Sequence, residues 1–177
     1  MFKIGKMKAK GLCLKSRMTI SLDLGCGETI RNPYQAKSVV GLDLEQADLA
    51  IEPIPFKDNL FDFVTAYDFL EHIPRLLYIP HRRYPFVELM SEIYRVMRVG
   101  GKFLSSTPAF PHSAAFQDPT HVNIITPDTF YEYFDDKKTW AKQYGFKGAF
   151  QINEMRYHGP HLLVELQKVS VSQSVQT

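Results

Sequence analysis

The stretch Leu22-Asp-Leu-Gly-Cys-Gly-Glu-Thr-Ile-Arg-Asn-Pro33 restricts this chain to few architectures. An apolar run from Met18 climbs to Leu24 and breaks at Gly25-Cys26-Gly27. A second run, Ser38 to Leu42, ends in Asp43, twenty residues after Asp23. The pattern predicts a strand, a tight glycine turn, a crossover and a second strand tipped by a carboxylate. In α/β sheets this builds a crevice at the carboxyl ends of adjacent strands. Glycines let the backbone approach a ligand closely, and the carboxylate can accept both hydrogen bonds of a ribose diol. The stretch therefore reads as a nucleoside-binding turn.

Composition narrows the class. A length of 177 residues suits one domain with a real core, and 45% apolar and 23% charged residues are ordinary for a globular protein. A net charge of +2 makes no case for nucleic acid. No apolar run approaches the ~20 residues that span a bilayer, so no membrane is expected. The first eighteen residues carry six Lys/Arg and no acid, without the apolar core of a signal peptide. Cys13 and Cys26 form no disulfide framework and no metal spacing, which predicts a reducing cytoplasm. The expected organisation is a basic arm over 1–17, one domain over 18–169 and a Ser/Gln-rich tail over 170–177.

Further along, Asp48 to Ile51 is short and apolar enough for a third strand, after which Pro53 and Pro55 forbid a helix. Phe61 to Tyr67 reads as a fourth, nearly continuous buried strand. From Pro85 to Arg98 the residues Phe86, Leu89, Met90, Ile93, Val96 and Met97 recur at helical spacing, with Gly100-Gly101 as the stop. Lys102 to Thr107 is the fifth strand. A second helix is predicted from Pro127 to Tyr144, capped by Thr126 and ended by Gly145. Phe146–Met155 and His161–Val169 are joined so tightly that an antiparallel edge pair follows. This alternation predicts a doubly wound α/β domain.

The dinucleotide fingerprint needs a third glycine where Ile30 stands, and Pro33 would interrupt a helix begun at Gly27. The turn suits a ligand without phosphates. LDLGCG, GLDL, IPFKDNLFDFVTAYDFLEHI and EIYRVMRVGGKFL, in that order, resemble the successive motifs of the class I S-adenosylmethionine-dependent methyltransferases, in the small-molecule, type 11-like group. The resemblance implies a Rossmann-like, mostly parallel seven-stranded sheet with an antiparallel last strand, and S-adenosyl-L-methionine as cofactor. It places Asp23, Gly25, Cys26 and Gly27 around the methionyl part, and Asp43 on the ribose. Leu44 falls against adenine, Ile51 and Glu52 close to it, and Tyr67 and Asp68 below the sulfonium. The Cys26 side chain is read as a small group in a tight turn, not a nucleophile.

Methyl transfer chiefly needs the nucleophile, methyl and sulfur in line, and a hydroxyl acceptor gains from a nearby base. The long connection after the fifth strand holds His112, Asp118 and His121, so either histidine could be that base with Asp118 orienting it. No metal is expected, because neither His72 nor these histidines has ligand spacing. Arg75 to Phe86 departs from the family as an insertion, read either as packing on the domain or a second subunit, a homodimer, or as a substrate lid. No Asn/Asp-Pro-Pro-Tyr follows the fourth strand, which argues against nucleobase or amide acceptors. The expected activity is methyl transfer to a small-molecule or sugar-containing acceptor, at oxygen. The alternatives are a catalytically inactive cofactor-binding partner subunit and a dinucleotide-dependent oxidoreductase.

Overall fold

The computed structural model describes residues 17–170; the expected basic arm, Arg17 apart, and all of the expected tail but Ser170 lie outside them. Its elements are β1 (Ile20–Leu24), β2 (Ser38–Leu42), β3 (Phe61–Tyr67), β4 (Leu77–Tyr78), β5 (Arg82–Arg83) and α1 (Pro85–Val96). Then come β6 (Met97–Pro108), α2 (Ala114–Gln117), α3 (Pro127–Tyr133), β7 (Phe150–His158) and β8 (His161–Lys168). The main sheet has six strands in the order β2-β1-β3-β6-β8-β7. Its first four are parallel, and β8 runs antiparallel between β6 and β7. β4 and β5 make a separate two-stranded ribbon within the insertion.

The count of six differs from seven because Asp48–Ile51 forms a turn rather than a strand. The Asp48 carboxylate accepts from Ala50 N at 3.0 Å, and Asp48 O accepts from Ile51 N and Glu52 N. A local side-chain partner has won over a sheet edge. The helix expected from Pro127 to Tyr144 is also interrupted. α3 ends at Tyr133, and the backbone then turns outward to bond β7, with Asp136 N on Phe150 O and Phe150 N on Phe134 O. Thr139 sits at φ +47°, and a separate 3-10 turn covers Trp140–Tyr144. The first helix likewise stops at Val96, short of the glycines. Gly100 and Gly101 instead lie inside β6, where the register against β3 shifts. A Cβ on Gly101 would meet Arg98 O at 2.8 Å and Asp62 O at 2.9 Å.

α1 buries Phe86, Leu89, Met90, Ile93 and Val96 on the face of the sheet that carries Leu22, Leu24, Val64 and Phe103. Phe86, Phe134 and Phe146 continue this layer edge to face, and Phe146 stacks on Phe150. At about 1.5–3 kcal/mol per fully buried large apolar side chain, this layer dominates the stability of the fold. The Gly25–Lys37 crossover contains no helix and lies on the opposite face. There Tyr34 stacks on Phe63 at 4.4 Å and donates its hydroxyl to Glu165 at 2.7 Å, while the Arg31 guanidinium covers Tyr67 at 4.6 Å.

Candidate cofactor and acceptor site

β1 and β2 end side by side, and the turn after β1 is held open by backbone conformations that favour glycine. Gly25 and Gly27 have φ of +62° and +53°. Gly25 N donates to Leu42 O at 2.8 Å, tying the turn to β2. Gly27 N donates to Asp43 Oδ2 at 2.6 Å, and Leu44 N to Asp43 Oδ1 at 2.7 Å. One carboxylate thus orders both strand ends. A cavity of about 430 Å³ opens above them, lined by Gly25, Gly27, Asp43, Leu44 and Asp68. Its size falls in the range of small-molecule sites.

The other expected residues fall elsewhere. Asp23 is fully buried, and its carboxylate accepts from Thr65 Oγ1 at 2.6 Å and Arg31 N at 2.7 Å, so it braces the turn from beneath. Tyr67 lies under Arg31 and outside the cavity lining; burial and the Asp23 charge push its phenol up, against the lowering effect of Arg31. Cys26 is also outside the lining; burial and the charges of Asp43 and Asp23 raise its thiol, keeping it protonated. Ile51 and Glu52 border a neighbouring cavity, because the Asp48 turn brings Asp48, Leu49 and Ala50 to the cavity above Gly25 and Asp43 instead. Phe69, His72 and Ile73 also line it, and no spacing signal points to them.

At the His72 end the Pro108–Thr126 connection folds back onto the segment after β3. Val122 N and Asn123 N donate to Glu71 O, and Asn123 Nδ2 donates to Leu70 O. Arg75 Nε holds the Asn123 amide oxygen at 2.6 Å. This brings the His121 ring within 5.0 Å of His72. His112 is exposed, and its Nδ1 accepts from Ala114 N in a turn outside the cavity lining. Asp118 bonds Thr120 N and Thr120 Oγ1, and these bonds lower its pKa; its Oδ2 stays 4.0 Å from His121 Nε2, beyond hydrogen-bond range.

Beside the two rings, Glu71 is 1% exposed, and among the described residues neither of its carboxylate oxygens has a hydrogen-bond partner. Desolvation pushes its pKa from the ordinary 4.5 to about 7. The folded state then holds this proton more tightly than the unfolded chain, so stability is full below about pH 4.5 and declines as pH rises toward 7. Glu71→Gln should therefore stabilise the protein at pH 8, by up to about 3 kcal/mol, and make little difference at pH 4.5. Thermal melts in a chelating buffer at both pH values read this, and equal shifts at both would contradict it.

The family model described as a methyltransferase domain matches residues 22–105. No curated protein sequence matches the chain. Among solved structures, an S-adenosylmethionine-dependent methyltransferase from Mesorhizobium loti superposes with a TM-score of 0.54 at 16% identity, covering 84% of this chain and 90% of that one. A chain of the Haloferax volcanii complex between the Trm112 methyltransferase activator and a methyltransferase gives 0.57 at 13% identity, covering 86% and 84%. The cyclase SpnF gives 0.53 at 13% identity, covering 86% and 75%.

Proposed function

We propose that this chain, whose residues 22–105 match a methyltransferase-domain model, is a class I S-adenosylmethionine-dependent methyltransferase that transfers a methyl group to an oxygen of a small-molecule or sugar-containing acceptor. The cofactor supplies an electrophilic methyl on a sulfonium. The observation that carries the reading is the union of Gly25, Gly27, Asp43, Leu44 and Asp68 around one cavity of about 430 Å³. These residues suit the cofactor on structural grounds. A Cβ added to Gly27 would meet nothing within 4 Å, so the backbone there is open to a ligand. Asp43 keeps free lone pairs for hydroxyls although its oxygens already bond Gly27 and Leu44. Leu44 is 69% exposed at the rim, a free apolar surface for a base.

Below the cavity, Asp68 is held at φ +50° by its N–H on Ser106 O and by His161 Nε2, which donates to its Oδ1 at 2.7 Å. A negative group fixed there favours a cationic centre. We assign His72 and His121 to the acceptor side. An oxygen acceptor is supported by two imidazoles and a carboxylate beside the cavity, groups suited to handling a hydroxyl proton. The likeness to a cyclase shows that the fold alone does not decide the chemistry.

The test is calorimetry on ligand-stripped protein with S-adenosylmethionine, S-adenosylhomocysteine and NAD. Binding of the first two without a response to NAD is expected, and would justify an acceptor screen. Silence from both in protein shown to be folded overturns the reading, and preference for NAD would replace it with the oxidoreductase.

A further inference from the structure

We propose that Glu71, His72 and His121 form a binding site for a first-row divalent cation, zinc foremost, at the edge of the cofactor cavity. One ligand atom from each residue can be chosen so that all three lie within 4.8 Å of one another. Donors around a cation at about 2.1 Å stand some 3–3.5 Å apart, so modest side-chain rotations close the set.

The hydrogen bonds behind the rings fix the tautomers. His121 Nδ1 lies 3.1 Å from Ala114 O, a pure acceptor, so Nδ1 carries the proton and Nε2 keeps its lone pair. His72 Nδ1 lies 3.3 Å from Thr120 O and 3.1 Å from Thr120 Oγ1. That hydroxyl spends its own proton on Asp118 Oδ1 at 2.6 Å, so His72 Nδ1 must again be the donor. Both imidazoles therefore present an unprotonated Nε2 while the opposite N–H is anchored on oxygen. Metal-bound histidines are oriented in this way. Asp118 and Thr120 act as positioning residues for His72.

The third donor is the independent sign. A carboxyl group buried to 1% exposure with both oxygens unpartnered is a costly arrangement, and a cation would complete it. His72 is exposed and lines the cavity, so a cation it helps to hold would lie at that cavity's edge. Two histidines and one carboxylate with open positions is a donor set for zinc or iron(II) that act on substrate oxygens. Asp118 Oδ2, 4.0 Å from His121 Nε2, adds negative charge nearby. Cation binding stands on these side chains alone. The role we give it, holding and acidifying an acceptor hydroxyl, rests on the methyl-transfer reading.

The full chain, dialysed against chelator and then against buffer, is titrated with zinc chloride by calorimetry and melted with and without zinc. One cation per chain is expected, with a melting point several degrees higher at a hundredfold excess over the dissociation constant. Glu71→Gln, His72→Ala and His121→Ala should each weaken zinc binding at least about tenfold, whereas His121→Ala should leave S-adenosylmethionine affinity within about threefold. Should Glu71→Gln not fold, the two histidine variants carry the test. Absence of zinc binding, or binding indifferent to these substitutions, overturns the proposal. Zinc binding without cofactor binding would leave the cation site standing and remove the methyl-transfer reading; the converse would do the reverse.

Discussion

Gly25→Ala is expected to lower stability by about 2–4 kcal/mol and to weaken S-adenosylmethionine binding more than tenfold. Gly25 sits at φ +62°, and a Cβ there would lie 2.4 Å from Phe69 Cδ2 and 2.9 Å from its Cγ. Phe69 is a wall of the cofactor cavity, so relieving the clash moves the wall. Gly27→Ala is the matched comparison. It shares the positive φ, at +53°, but its added methyl meets nothing within 4 Å. It should cost only the backbone strain, about 1 kcal/mol, while intruding where the ligand sits. Thermal melts and calorimetry on both variants decide the matter. Equal stabilities would mean that the Phe69 contact does not constrain the turn.

The second large effect is expected at Asp43. Asp43→Ala should weaken cofactor binding by about 1–3 kcal/mol, roughly 5- to 150-fold, because charge-assisted hydrogen bonds to the ligand are lost. A second loss adds to this. Asp43 accepts from Gly27 N and Leu44 N in the free protein, so its removal also frees the turn that the ligand must meet. Asp43→Asn keeps one acceptor oxygen and should fall between the two. An unchanged affinity in a folded Asp43→Ala variant would remove Asp43 from the site.

Much of this was legible in the chain because local chemistry and tertiary need agree there. β3 runs from Phe61 to Tyr67 as its apolar continuity predicts, and the tight link at Gly159 forces the antiparallel β7–β8 pair. Gly25, Gly27 and Asp43 meet because parallel strands β1 and β2 place their carboxyl ends in register. Failures came where one polar side chain redirected the backbone. Asp48 turned a short apolar run away from the sheet, and with it moved the cavity lining from Ile51 and Glu52 to Asp48–Ala50. The α3 end yielded to backbone bonds with β7 that no helical periodicity reveals. The Glu71, His72 and His121 cluster was illegible for a different reason. His121 arrives from a distant loop, so ligand spacing along the chain carries no trace of it.

The Tyr34 side chain has a consequence for how the molecule comes apart. Its ring lies on Phe63 of β3, with Lys102 of β6 over it at 5.9 Å, and its hydroxyl reaches Glu165 of β8. One residue of the first crossover therefore buckles the nucleoside-binding half of the sheet to its antiparallel edge. Peeling the β7–β8 hairpin away breaks the Tyr34–Glu165 hydrogen bond and loosens the loop that carries Ile30 and Arg31 behind the glycine turn. Opening at that far edge and loosening of the ligand turn become one cooperative event, a single foldon in which an occupied turn would protect strands it never touches.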